Sequence, residues 1–231
     1  MVGGVIEAVL LDVGGVFFVP EPEPLTEALR RFGVTVTPED LQRSHYAGIT
    51  AFDRAGTGNW SEYHRGVVDA CGVAAHEGDA AVALIGAVMD NAAWKRLIPG
   101  SLDGLRRLAE TGVHLGIVSN SNGTVEDQLL ATAVCQTGPG EGVQVGVVLD
   151  SHVVGIDKPD PRIFQLALDR LGVQPEEAVH VGDTVLADID GARAAGIRPL
   201  HLDPHGFCRL DDHEHVRSLD DVVSFVLESR A

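Results

Sequence analysis

Lysine is almost missing. The 231 residues hold only Lys95 and Lys158, and arginine supplies the rest of 17 basic side chains set against 34 acidic ones. A formal net charge of −17 argues against general nucleic-acid binding. An anionic ligand needs a metal or a local cation to draw it in, which makes each lysine informative. Cysteine is also scarce. Cys71, Cys135 and Cys208 are odd in number and scattered, matching neither a disulfide framework nor a zinc spacing, and a reducing cytosol is the simplest setting. No apolar run reaches membrane-spanning length, so no membrane partner is expected. The start, MVGGVIEA, has no basic n-region; no signal peptide and a cytoplasmic location are expected. Internal repeats are absent. So are a P-loop Lys-Ser/Thr and a G-x-G-x-x-G after a strand, which removes the nucleotide-fold readings.

What is present is organised around Val5–Val19 (VIEAVLLDVGGVFFV). The run Ala8-Val9-Leu10-Leu11 closes on Asp12 and the pair Gly14-Gly15, the pattern of a buried parallel strand with a carboxylate at its C-terminal end. Further short apolar runs at 113–118, 143–149, 178–181 and 199–202 alternate with helical patterns. That alternation predicts an α/β chain with a doubly wound parallel sheet. Pro20-Glu21-Pro22-Glu23-Pro24 reads as a non-helical connector or flap. From Leu25 to Leu97 only helical patterns follow: a short one to Phe32, one opened by Thr37-Pro38, one by Asn59-Trp60, and an alanine-rich one from Glu77 to Leu97. The organisation expected is a discontinuous core, 1–19 with 98–231, and an all-helical insert over 20–97. Ser101 is expected to cap the helix after the insert, and a Gly-rich connector covers 137–142.

Four polar signatures lie just after predicted strands or at a helix start: Asp12, Ser119, Lys158, and Asp183 with Asp188. In a doubly wound sheet the C-terminal strand ends share one edge, where such residues converge. In order they read LLDVGGV, GIVSNS, DKPDPRIF and VGDTVLAD. Together they resemble the four motifs of the haloacid dehalogenase superfamily, over the whole chain except the helical insert. The resemblance implies a Rossmann-like core with a cap inserted after the first strand. It implies a phosphatase-like hydrolase in which Asp12 attacks phosphorus, forming a phospho-aspartyl intermediate. Ser119 and Lys158 would contact the phosphoryl oxygens, and Asn120 would either touch the substrate or shape its loop. Mg²⁺ would be held by Asp12, Asp183 and the backbone carbonyl of Gly14, with Asp188 behind them. The partner implied is a small phosphorylated metabolite.

One position departs from the family pattern. Most of its phosphatases carry a second Asp two residues after the nucleophile, as acid and base; this chain has Gly14. Such help contributes roughly 10²–10⁴-fold in rate. Three readings stay open. The substrate has a good leaving group, such as an anomeric or acyl phosphate; an insert residue such as His45, Tyr46 or His64 supplies the proton; or the protein binds phosphorylated ligands with little turnover. A 2-haloacid dehalogenase is the rival within the superfamily, but its nucleophile motif has a Tyr where Gly14 stands and its last motif lacks the magnesium-type Gly-Asp. A receiver domain lacks the insert and carries an acidic pair on its first strand. Arg43, His45, Tyr46, Arg54, Trp60, His64 and Arg65 are candidates for lining the site, most of them expected on solvated faces. His180 reads as a packed histidine and Asp190 as surface. Trp60 and Trp94 read as packing. His201, His205, His213 and His215, with Asp211 and Asp212, match no ligand spacing and read as a solvated loop.

Overall fold

The computed structural model describes residues 4–89 and 94–231. The first three residues, and the stretch 90–93 of the expected alanine-rich helix, lie outside the described residues. Ten strands run through the described chain: β1 Ala8–Leu11, β2 Phe18–Pro20, β3 Trp94–Leu97, β4 His114–Ser119, β5 Cys135–Thr137, β6 Val143–Val145, β7 Val147–Asp150, β8 Ala178–Gly182, β9 Arg198–Leu202 and β10 Glu214–Val216. Two compact units emerge. One takes the chain up to Phe17, Pro99–Pro204 and Leu210–Ala231; the other takes Phe18–Ile98 and His205–Arg209.

The first unit is built on a six-stranded sheet in the order β10-β9-β8-β1-β4-β7, with every pairing parallel. β1 lies at its centre, with all four residues buried. It is bonded to β4 on one side and β8 on the other, Leu11 standing opposite both Ile117 and Val181. The order reverses around β1, and that is where open α/β sheets leave a crevice beyond their strand ends. Ala8, Leu10, Val118, Leu149, Ile163, Phe164 and Leu168 fill one layer of the core. The expected strand over 143–149 is split. Gly146 donates to the Leu115 carbonyl at 2.8 Å, so β6 leaves the main sheet to pair with β5 while β7 joins it. The 137–142 connector folds around the buried Gln136 side chain, which accepts from Gly142 N at 3.0 Å.

The second unit packs helices Pro22–Arg30, Pro38–Ala55, Trp60–Ala70 and Gly78–Val88 around Leu25, Leu29, Leu41, Val68, Ala81 and Ile85. Thr37 caps Pro38–Ala55 in a reciprocal box with Asp40, and Asn59 caps the next helix, as the sequence pattern predicts. Three expectations are corrected. The segment 20–24 is not a connector: Pro22 and Pro24 sit in the first turn of a helix, where backbone N–H groups have no intrahelical partner to lose. The insert is not all helical. Trp94–Leu97 is a strand pairing antiparallel with β2, its residues alternating half-buried and exposed at the period of a sheet. In the first unit, Ser101 is the first residue of its helix, and Gly100, at φ 82°, holds the cap position.

Candidate active site

Asp12 follows β1 directly, and its N–H donates to the Val181 carbonyl of β8 at 2.9 Å. Ser119 ends β4, Asp183 follows β8, and the register that sets Leu11 beside Ile117 and Val181 brings these strand ends to one edge. The chain turns away at once: Phe17 N–H closes on the Val13 carbonyl at 2.9 Å. Gly15 takes the positive φ, 65°, that this turn needs.

Lys158 is the centre of the cluster. Its side chain is 1% exposed, with Nζ 2.9 Å from Asp12 Oδ1 and 2.6 Å from Asp188 Oδ1. Asn120 holds it by the backbone: Lys158 N–H donates to Asn120 Oδ1 at 2.7 Å, and Asn120 Nδ2 donates to the Lys158 carbonyl at 2.9 Å. Asp188, fully buried, is bound on every side. Oδ1 also lies 2.8 Å from His180 Nε2, and Oδ2 accepts from Thr184 N–H at 3.1 Å. The turn presenting it is wide, with Ile189 N–H reaching back to the Thr184 carbonyl five residues earlier, a geometry frequent at functional sites. Asp190 is exposed, pairing with Arg193 at 3.7 Å.

Two carboxylates thus share one ammonium, with a third, Asp183, beside them. Burial, with the charges of Asp188 and Asp183, pushes the Asp12 carboxyl up to about 7, although Lys158 pulls it down. Burial opposes the ammonium too, but Asp12 and Asp188 hold the Lys158 pKa above its ordinary value. Against its own burial penalty, Asp188 is held well below the usual carboxylate range by Lys158 and His180. Burial lowers the His180 pKa, against the hydrogen bond and charge of Asp188. Asp12, Asp183 and Asp188 can bring one oxygen each within 4.8 Å of one another. A buried set of oxygen donors only, with negative charge in excess once Asp12 ionises, fits a hard divalent cation such as Mg²⁺.

A family model, haloacid dehalogenase-like hydrolase, matches residues 6–196. The chain belongs to that family. Among its relatives are the mouse haloacid dehalogenase-like hydrolase domain-containing protein 3 (39% identical over 45% of this chain and 38% of that one) and the phosphoserine phosphatase of Thermus thermophilus (50% identical over 29% and 26%). The glyceraldehyde 3-phosphate phosphatase of Methanopyrus kandleri is 30% identical over 59% of this chain and 54% of that one. The chain spans between about a quarter and a little over half of the length of these relatives. Over nearly its full length the haloacid dehalogenase-like chain shares its fold with a phosphatase of this family from Thermococcus onnurineus (TM-score 0.58, 23% identity, 96% and 98% covered). It is also similar to a 2-haloacid dehalogenase from Pseudomonas syringae (0.57, 26%, 98% and 100%).

Asp12, Ser119, Asn120, Lys158, Asp183 and Asp188 all lie in the first unit, at the sheet's C-terminal edge. Of the insert candidates, His45 and Tyr46 are buried within the second unit, His45 Nδ1 lying 3.1 Å from the Tyr63 hydroxyl. Arg65 pairs with Asp79 at 2.6 Å, and half-exposed Trp60 packs on Phe52 and Tyr63. Asp150 was not singled out from the sequence. Its carboxylate accepts from Gly123 N–H at 2.9 Å, Val125 N–H at 3.2 Å and His152 N–H at 3.0 Å, tying down the loop after Ser119. The one signal for it was an acid closing the run VVLD.

Gly182 is required for space. A Cβ there falls 2.1 Å from Asp188 Cγ, and Asp188 has three partners fixing it. Gly182→Ala is therefore expected to cost about 1–3 kcal/mol, the range for overpacking a core. Thermal denaturation beside wild type measures it, and an unchanged midpoint is the result that would contradict the packing.

Proposed function

We propose that this chain is a Mg²⁺-dependent phosphoric monoester hydrolase acting on a small phosphorylated metabolite, with Asp12 as nucleophile. The observation that carries the reading is the Lys158 ammonium shared by Asp12 at 2.9 Å and Asp188 at 2.6 Å, with Asp183 completing the carboxylate set. Asp12 and Asp183, with the carbonyl of Gly14, are the ligands assigned to Mg²⁺; the ion, when bound, cancels negative charge where a phosphoryl group lands. The Asp12 carboxylate attacks phosphorus and the ester oxygen leaves, giving an aspartyl phosphate that water hydrolyses. Lys158 neutralises charge on the transferred oxygens, and the Ser119 hydroxyl donates to one of them. Asp188 and Asn120 act through Lys158, one by charge and one by its backbone. The unit inserted between Asp12 and Ser119 in sequence is assigned the choice of substrate, and a cytoplasmic setting goes with the reading.

Gly14 supplies no proton to a leaving group, so the substrates assigned are those that leave without one: anomeric and acyl phosphates. A panel of these and of alkyl phosphomonoesters tests the reading, with Mg²⁺ and with chelator. Release that needs Mg²⁺ and favours the good leaving groups is the expected result. Gly14 also favours a second reading, ligand binding with poor turnover; no release from any compound, with Mg²⁺ still bound, selects it. The 26% identity with a 2-haloacid dehalogenase is met by a halide-release arm, and halide release independent of metal overturns the phosphatase.

A pH dependence follows from Asp12. A carboxyl raised from 3.8 to about 7 holds its proton more tightly folded than unfolded, so its contribution to stability is present below 3.8 and lost as pH rises through about 7. Buried His180 moves the opposite way in part of that window, so the comparison is with Asp12→Asn. The metal-free wild type is expected to lose stability relative to that variant between about pH 5 and about pH 8. Mg²⁺, binding the ionised form, is expected to raise the wild-type melting midpoint more at the higher pH. Parallel pH profiles for the two proteins contradict the assignment.

A further inference from the structure

The loop expected around the late histidines is not a loop throughout. β10 pairs in parallel with β9 at the sheet edge, with His215 directly opposite His201. Residues two apart on an extended chain share a face, so His213 stands beside His215. The three rings form a triangle with centroids 5.0, 5.1 and 4.5 Å apart, and a nitrogen from each lies within 4.8 Å of the others. His201 is buried, the His213 side chain is 0% exposed, and His215 reaches solvent. His205 belongs to the second unit, against Tyr46 and Phe207.

For neutral rings, the hydrogen bonds assign the tautomers. His201 Nε2 lies 3.0 Å from the carbonyl oxygen of Asp183, which only accepts, so this nitrogen carries the proton. His213 Nδ1 lies 2.7 Å from Asp212 Oδ1, so it is protonated for the same reason. The lone pairs are then on His201 Nδ1 and His213 Nε2, which face each other at 2.8 Å. Two lone pairs at that distance repel, and a cation between them removes the conflict. An imidazole whose far nitrogen donates to a carbonyl or a carboxylate is the arrangement that orients metal-bound histidine. Asp212 is itself fixed, Arg193 reaching its Oδ2 at 3.1 Å and its carbonyl.

We propose that His201, His213 and His215 form a second metal site, for a divalent transition ion of the zinc class. Nitrogen donors suit Zn²⁺ where the carboxylate cluster suits Mg²⁺, so the two sites differ in chemistry and in residues. Zinc holds tetrahedral nitrogens about 3.3 Å apart, so loading asks the His201–His213 pair to part only slightly. The ion would clamp β10, a strand of three residues, to β9. Through the His201 hydrogen bond it would also steady the Asp183 backbone.

The test uses the purified chain stripped with chelator, with Mg²⁺ in excess to occupy the carboxylates, and Zn²⁺ or Co²⁺ alone as the probe. One equivalent is expected to bind, with a tetrahedral Co²⁺ absorption spectrum and a raised melting midpoint. His215→Gln, at the exposed ligand, is expected to fold and to lose that spectrum. Asp212→Asn neutralises the carboxylate that orients His213 and pairs with Arg193, and a 10–100-fold loss of affinity is expected, as for other partners of metal-bound histidine. Asp12→Asn is expected to bind zinc as wild type does. Zinc binding that survives His215→Gln and Asp212→Asn but fails in Asp12→Asn places the ion on the carboxylates and overturns the proposal. So does the absence of stoichiometric binding to wild type, which leaves a shared proton as the bridge between the two rings.

Discussion

Replacing Asp12 by Asn is expected to reduce phosphate release by roughly 10⁴- to 10⁶-fold, the scale on which loss of a covalent nucleophile is felt. The amide matches the carboxylate in shape, but it is neutral and does not attack phosphorus. The same change should not harm the fold. Asp12 shares a single lysine with Asp188 and has the charge of Asp183 beside it, and burial with those charges raises its pKa. Removing that charge leaves Lys158 with Asp188 at 2.6 Å, a closer partner than Asp12 at 2.9 Å. The metal-free variant should therefore melt no lower than wild type at about pH 8, where Asp12 is ionised. Loss of activity with retained or increased stability separates chemistry from folding. Release at the wild-type rate removes Asp12 from the mechanism, whatever the metal does.

How much of this was legible beforehand depended on whether a residue's role is written locally or across the fold. That Asp12, Lys158, Asp183 and Asp188 come together was legible because a carboxylate after a buried apolar run is costly without a reason, and because motif order survives any error in helix boundaries. The central strands were legible because both faces are covered, so their sequences are continuously apolar. The edge strand was not: β10 is Glu214-His215-Val216, and polar residues on a short edge strand look like loop until the register with β9 is known. The histidine cluster was hidden for the same reason, since His201 and His215 become neighbours only through that register. Pro22 and Pro24 misled because a proline-rich segment reads as a break, whereas the first helical turn tolerates proline. Gly182 and Gly191 show the reverse case. Each looks like turn punctuation, yet a Cβ would reach 2.1 Å from Asp188 in one case and 2.8 Å from Phe164 in the other. Close packing between elements leaves no local trace in composition.

Lys158→Met tests the electrostatic core of the site most directly. Methionine keeps the length and apolar stem of the side chain but removes the ammonium that Asp12 and Asp188 share. Breaking a buried ion pair from one side costs about 3–5 kcal/mol, because the partner's charge stays buried without compensation. The loss should grow with pH. Without Lys158, the burial that opposes both carboxylates loses its main compensation, so their folded pKa values are expected to rise. The folded variant then binds more protons than the unfolded chain, and stability falls as pH rises through the raised values. Urea denaturation of metal-free protein at about pH 5 and about pH 8 should show the gap to wild type widening. Phosphate release with Mg²⁺ should fall on the order of 10²–10³-fold, the cost of losing one preorganised donor to transferring oxygens. The double variant Lys158→Met/Asp12→Asn separates ion pairing from packing. If charge is the cause, deleting Asp12 relieves part of the strain, and the double variant is more stable than Lys158→Met alone at the higher pH. If both variants lose the same amount, the methylene packing of Lys158, not its ammonium, holds the site together, and the assignment of Lys158 as the shared counter-charge of Asp12 and Asp188 fails.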